Sequence, residues 1–271
     1  MRNTLSDFTT FGIGGAAKEI VIATSREQLI DEASSGIVLG RGSNILASDS
    51  GVDGKVVINR FEQITVKGNT VYAGSGTRLN VLCQAVAARG LSGLEWAIGI
   101  PGTVGGAVRM NAGAFLGAIS DCIVCAEVLR DGKLLALNKS ELNFGYRSSG
   151  LSDSDVVVGA AFSLTPDNPS AVRDRGYKYN ALRKKSQPVG KSAGSIFKNP
   201  VGASVGKILD EAGLKGVRRG GAIISTQHAN IIVNTGGATA KDVCALIDIM
   251  RGVLNDSGVS AQEEIIYLGD F

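Results

Sequence analysis

Gly99-Ile100-Pro101-Gly102-Thr103-Val104-Gly105-Gly106-Ala107 carries four glycines in nine residues. Three earlier stretches resemble it: Phe11-Gly12-Ile13-Gly14-Gly15, Leu39-Gly40-Arg41-Gly42-Ser43-Asn44-Ile45-Leu46 and Ala73-Gly74-Ser75-Gly76-Thr77. Glycine lets backbone N–H groups converge on phosphate oxygens with no side chain in the way. Any one stretch alone reads as a turn. Four within the first 107 residues, one with Ser-Asn directly after its glycine, read as a dinucleotide cradle. None fits G-x-G-x-x-G between a strand and a helix with a later acidic residue, so the cradle is expected on a fold other than the Rossmann fold.

Working outward, the whole chain has 271 residues, enough for about two domains and a substantial core. Hydrophobic residues at 44% and charged residues at 20% exclude wholesale disorder. Glycine supplies 37 residues, about twice the usual ~7%, against only 5 prolines. The glycines follow no triplet period, which excludes collagen. Twenty-eight basic against 25 acidic residues leave +3, too mild to argue for nucleic acid. Two basic groups stand out: Arg173 to Lys191, and Lys215, Arg218 and Arg219. They read as a solvated face or as a mouth for a small anion. With aromatics at 5%, no RNA-recognition strand is in view.

Met1-Arg2-Asn3-Thr4 leads into polar residues with no secretion signal, and no apolar run reaches the length of a membrane span. Four cysteines do not make a disulfide framework. Cys122 and Cys125 are spaced C-x-x-C inside what reads as a buried strand, so packing is favoured over metal or redox chemistry. His228 is the only histidine, and no metal site is expected. A reducing cytoplasm is the expected compartment.

The organisation falls into three parts. Residues 1–60 read as a small α/β unit, with a strand at Lys18–Ile22, a helix start at Ser25 and a buried strand at Gly36–Gly40. Residues 61–190 read as an α+β block with strands at Ile64–Val66, Thr70–Ala73, Cys122–Leu129, Lys133–Ala136 and Val156–Leu164. Asp131-Gly132 makes a hairpin turn there, Asn80–Arg89 is a helix stopped by Gly90, and a polar helix runs from Ser170 to about Lys185. In residues 191–261 α/β character returns, with helices at Val205–Ala212 and Thr239–Leu254 and strands at Ala222–Ile224 and Asn230–Asn234. The closing strand, within 262–271, is expected to join the central block.

Four segments in order make the chain recognisable: Gly99–Ala114, Phe144-Gly145-Tyr146-Arg147-Ser148-Ser149, Gly194-Ser195-Ile196-Phe197-Lys198-Asn199-Pro200 and Glu264-Ile265-Ile266-Tyr267-Leu268-Gly269. The chain resembles the UDP-N-acetylenolpyruvoylglucosamine reductases, flavoenzymes of peptidoglycan synthesis, from Thr10 to Gly269. The resemblance implies an α+β, three-domain flavoprotein: an FAD-binding fold of the vanillyl-alcohol-oxidase type followed by a C-terminal α/β substrate domain. It implies noncovalent FAD with NADPH and a UDP-sugar as small-molecule partners, and neither nucleic acid nor membrane. By motif, Arg147, Ser195 and Glu264 are the expected catalytic residues. Gly40, Gly42, Ser43 and Asn44 are expected at the FAD pyrophosphate. Gly99, Pro101, Gly102, Thr103, Gly105, Gly106, Asn111 and Gly113 are expected along the rest of the cofactor. Tyr146, Arg183, Lys198, Asn199 and Lys215 are expected at the substrate. The chain departs from the family pattern at Ala118, where a glutamate is usual, and at Ile266, where an arginine is usual. Two other readings stay open: a binding module without turnover, which the three expected catalytic residues together argue against, and an oxidase of the same fold.

Overall fold

The computed structural model describes residues 4–271; Met1–Asn3, part of the polar start noted above, lie outside the described residues. Seven α-helices are described: α1 (Arg26–Ala33), α2 (Leu79–Ala87), α3 (Val104–Arg109), α4 (Ile119–Cys122), α5 (Pro169–Ser186), α6 (Val205–Glu211) and α7 (Ala240–Asp256). The chain divides into two compact units. One holds residues 21–41 and 56–183; the other holds residues 1–20, 42–55 and 184–271. Residues 1–60 are therefore shared between the units, and the closing strand groups with residues 184–261 instead of the central block.

In the unit of residues 21–41 and 56–183, a five-stranded antiparallel sheet runs in the order Lys133–Asn138, Ile123–Arg130, Val156–Ser163, Thr70–Gly74, Ile64–Lys67. Alternation loads both faces, because successive side chains point to opposite sides of a strand, and register shifts between Ile123 and Cys125 and between Glu127 and Val128 interrupt it. Val128, Val157 and Phe162 pack with Leu79, Leu82, Val86, Val104 and Val108 of α2 and α3. Their neighbours Leu129 and Val158 pack on the other side with Leu29 of α1 and Phe61. The expected hairpin turn is present: Asp131 and Gly132 take φ of 50° and 73°, the two positive angles a type I′ turn needs. Gly159 is bare for a reason. Its Cβ would fall 2.2 Å from the hydroxyl of Tyr72, which crosses it to donate to Glu127 at 2.7 Å.

The other unit carries the parallel pair Ile45–Ala47 with Ile266–Leu268 and a three-stranded antiparallel sheet of Arg218–Arg219, Ala222–Ile224 and Ile232–Asn234. Helix α7 buries the expected face, Val243, Leu246, Ile247, Met250 and Leu254. Its start is closed by a capping box between Thr239 and Asp242. The core there also takes Phe11, Ile13, Phe197, Val205 and Leu209.

Three elements differ from the expectation. Val52–Asn59 is a strand, the middle one of the sheet ordered Ala17–Ala23, Val52–Asn59, Ile37–Leu39. Only its second half is fully buried, and Asp53, Gly54 and Lys55 mask the pattern. The glycine-rich stretch after Thr103 is helix α3. Cys122 ends α4 instead of opening a strand, and burial pushes its thiol up to about 12, so it is held as an inert thiol.

Candidate active site

In the unit of residues 21–41 and 56–183, two glycine-rich stretches, Ala73–Thr77 and Gly99–Ala107, lie backbone against backbone. The Leu79 N–H donates to Gly102 (3.1 Å), Val104 to Thr77 (2.9 Å) and Gly105 to Ser75 (2.9 Å). Thr103 caps α3, accepting from the Gly106 N–H. Glycine is needed at two points of closest approach. A Cβ on Gly105 would meet the Ser75 Cβ at 2.9 Å, and one on Gly40 the Thr103 Oγ1 at 2.6 Å. The N–H groups of Val104, Gly105 and Gly106 are all spent inside the protein. Gly105 and Gly106 therefore offer closeness of approach to a ligand, not donors. Pro101 and Gly106 are exposed, while Thr103 is buried beneath them.

Cationic charge gathers at the same place. Arg60 donates to the Gly40 carbonyl at 2.8 Å and to that of Asn59 at 3.1 Å. Burial, then the like charge of Arg41, holds its guanidinium below its ordinary value. Arg183 donates Nε to the Gly99 carbonyl at 3.1 Å and is shifted down by burial and by Arg147. Each guanidinium is desolvated and faces a like charge, Arg41 for Arg60 and Arg147 for Arg183, and an anion beside either would relieve that cost.

Arg147 occupies the tip of a tight turn closed by reciprocal bonds between Gly145 and Ser148. Its φ is 53°, where glycine normally sits. Holding a side chain there costs roughly 1–2 kcal/mol, and such strain persists where surrounding contacts over-determine it. Here the guanidinium donates to the Gly113 carbonyl at 2.6 Å and stacks 5.3 Å from the ring of exposed Tyr146. Asn111, expected at the cofactor, spends its carboxamide on the protein: Oδ1 accepts from the Ser120 N–H (3.0 Å) and Nδ2 donates to the Gly145 carbonyl (2.9 Å).

In the unit of residues 1–20, 42–55 and 184–271, the Gly42–Asn44 turn packs on residues 8–10, just before the Phe11–Gly15 stretch. Gly42 has φ 58°, a Cβ there would lie 2.7 Å from the Phe8 carbonyl, and its own carbonyl accepts from the Thr10 N–H at 3.3 Å. Ser43 follows in the same turn. Ser195 and Glu264 lie on adjacent backbones. Ser195 bridges to Ile231, and the Glu264 N–H donates to the Ile196 carbonyl at 2.7 Å. Buried Asn230 clamps the segment, accepting from the Phe197 N–H at 3.0 Å and donating to its carbonyl at 2.8 Å. Lys198 is half-buried, its N–H tied to the Gln262 carbonyl.

Two expected substrate residues have other engagements. Asn199 Oδ1 accepts from the Val205 N–H at 3.0 Å and so stitches the start of α6. Lys215 pairs with Asp210 at 2.6 Å. His228 packs over Gly206, where a Cβ would meet its ring at 2.8 Å. Burial and then Lys215 push its pKa down, as suits a packed neutral imidazole. Among the described residues, no group of three or more His, Cys, Asp or Glu could hold a metal ion.

Each unit thus offers bare backbone at points where a side chain could not fit, with arginines beside one of them. Such a surface suits a large cofactor bearing phosphates. Residues 18–138 match the family described as an FAD binding domain, and residues 185–268 match the C-terminal domain of UDP-N-acetylenolpyruvoylglucosamine reductase. The reductase of Levilactobacillus brevis is 45% identical over 86% of this chain and 78% of its own. That of Pediococcus pentosaceus is 40% identical over 98% and 93%. The crystal structure of the reductase from Thermus caldophilus superposes with a TM-score of 0.88 at 40% identity, covering 98% of this chain and 97% of that one.

The chain belongs to the UDP-N-acetylenolpyruvoylglucosamine reductase family.

Sequence reasoning about this reductase missed Arg60 and Asn230. Neither sits in a glycine-rich stretch or a charge cluster, and their roles follow only from which backbone groups they reach. At the two departures, Ala118 donates its N–H to Asp121 at the start of α4, and half-exposed Ile266 donates its N–H to the Asn44 carbonyl at 2.9 Å.

Proposed function

We propose that this chain catalyses the NADPH-dependent reduction of UDP-N-acetylglucosamine enolpyruvate to UDP-N-acetylmuramate, for peptidoglycan. The observation that carries this is family membership over nearly the whole chain, at about 40% identity. Bound FAD supplies the two-electron carrier between NADPH and the vinyl carbon of the enolpyruvyl group. The Gly40–Asn44 turn, the Gly99–Gly106 stretch and Gly113 hold it noncovalently, and no histidine or cysteine occurs in Gly99–Ala114 to make a link.

The residues act on charge and protons. When hydride reaches the terminal vinyl carbon, negative charge builds on the adjacent carbon and its carboxylate. The Arg147 guanidinium, or Glu264 when protonated, meets that charge. The Ser195 hydroxyl delivers the proton to the carbanionic carbon. Arg183 and Lys198 are favoured for the diphosphate, with Tyr146 alongside, because Lys215 and Asn199 are already engaged by Asp210 and Val205. The partners are the UDP-sugar and NADPH, and we place the enzyme in the reducing cytoplasm, where its cysteines stay free thiols.

The test is optical. Purified protein should be yellow, bleach anaerobically with NADPH and regain its colour when the enolpyruvyl substrate is added. A reduced protein that the substrate cannot recolour, but that oxygen recolours rapidly, would favour an oxidase instead.

A further inference from the structure

We propose that Asn111 is the positioning residue for Arg147. Its carboxamide is 8% exposed at the residue level and has both ends committed to backbone, one on either side. Oδ1 holds the start of α4 through the Ser120 N–H, and Nδ2 holds the Gly145 carbonyl, which closes the turn bearing Arg147. Both ends of the carboxamide are thereby fixed in place by the protein's own backbone. The backbone of Asn111 has φ 41°, a left-handed conformation that asparagine tolerates better than most residues. Asparagine is therefore the residue type that meets both demands, the backbone angle and the two-sided bridge.

The rest of the loop points the same way. Ser149 Oγ donates to the Arg109 carbonyl at 2.7 Å, and Arg109 donates to the carbonyls of Ser152 (3.0 Å) and Asp155. Arg147 itself reaches back to Gly113. Residues 145–155 are thus fastened to residues 109–113 by five hydrogen bonds, and the one from Asn111 closes on the first residue of the strained turn. Turns of this kind keep an unfavourable φ only while neighbours enforce it. Release of the Gly145 carbonyl lets the turn relax and moves the guanidinium.

The proposal rests on the assigned reaction for its kinetic arm and not for its structural arm. Asn111→Asp keeps the acceptor for Ser120 and the tolerance of positive φ, but replaces the donor facing Gly145 with a carboxylate oxygen. Stopped-flow absorbance of the holoenzyme reads flavin reduction by NADPH and reoxidation by the enolpyruvyl substrate separately. Flavin content and reduction should stay within about twofold, while reoxidation at saturating substrate falls about tenfold or more, the scale of one lost buried hydrogen bond with a repulsion added. In an Arg147→Ala background the same change should add little, because the two act as one unit. Independently of any reaction, trypsin should cut after Arg147 about tenfold faster in Asn111→Asp than in wild type. Loss of flavin, or equal slowing of both half-reactions, would make Asn111 a cofactor contact and overturn the proposal. Unchanged cleavage would overturn it as well, as would effects that simply multiply with Arg147→Ala. If the wild type fails both half-reactions, the assigned reaction is wrong, and the cleavage rate still decides the role of Asn111.

Discussion

Asn44 holds Glu264 through the backbone on two sides. Asn44 Nδ2 donates to the Glu264 carbonyl at 2.8 Å, and the Asn44 carbonyl accepts from Ile266, two residues on, at 2.9 Å. The asparagine of the second glycine-rich stretch therefore also sets where the backbone of the candidate catalytic glutamate stands. One residue thus ties the proposed cofactor turn to the proposed catalytic glutamate.

Asn44→Ala should consequently weaken both. Losing one such hydrogen bond costs about 0.5–1.5 kcal/mol, so turnover at saturating substrate is expected to fall roughly 2- to 10-fold together with a measurable loss of FAD affinity. Fluorescence titration with FAD and steady-state rates check the pair. A drop in affinity with an unchanged saturated rate would separate Asn44 from Glu264.

Ser195→Ala should split the half-reactions. Flavin reduction by NADPH is expected near the normal rate, and reoxidation by the enolpyruvyl substrate should fall by roughly 100- to 10,000-fold, the usual contribution of a general acid. Ser195→Cys should recover part of this, since a thiol is the stronger acid. Equal slowing of both halves would leave Ser195 a shaping residue of the segment that Asn230 clamps.

Arg147→Gly and Arg147→Ala should be equally inactive and unequally stable. Both lose the guanidinium, but only glycine is at ease at a φ of 53°. The glycine variant should be more stable than the alanine variant by about 1 kcal/mol, seen as a higher urea midpoint at unchanged slope.

Gly40→Ala and Thr103→Ala should be non-additive. The first drives a Cβ to within 2.6 Å of the Thr103 Oγ1 and should cost about 1–3 kcal/mol by overpacking. The second removes the α3 cap at about 1 kcal/mol. The double variant makes room for the new methyl and should lose less than the two summed. Urea unfolding of the four proteins gives the coupling.

Acid should loosen the Arg147 loop through Asp155. The bidentate Arg130 guanidinium, at 2.8 and 2.7 Å, holds the Asp155 carboxyl below its ordinary value near 3.9. A depressed carboxylate contributes stability above its unfolded pKa and loses it as pH falls through the folded value. The stability gap between wild type and Asp155→Asn should thus be full above about pH 5 and shrink below about pH 4. Melting temperatures across that window would show it, and a constant gap would mean that the ion pair is not what titrates.

Much of the fold was readable because its signals are local. Alternation marked all five strands of the antiparallel sheet, Asp131-Gly132 marked its hairpin, and the spacing of Val243, Leu246, Ile247, Met250 and Leu254 marked the buried face of α7. What escaped depends on distant partners. Helix α3 forms on a glycine-rich sequence because Ser75 and Thr77 take its first N–H groups. Arg60 matters only through the carbonyl of Gly40, twenty residues earlier. The candidate catalytic residues came from motif resemblance alone, since a lone Arg, Ser or Glu has no periodicity to betray it.

The chain crosses between its two units at residues 20/21, 41/42, 55/56 and 183/184, and Ile45–Ala47 finds its parallel partner only at Ile266–Leu268. On the ribosome, the unit made of residues 21–41 and 56–183 has its full complement of strands well before synthesis ends. The other unit must wait for the final stretch, with Phe11, Ile13 and Leu46 lacking their core partners until then. Nascent chains stalled before α7 should therefore be the ones that chaperones hold, because their early apolar segments are still uncovered.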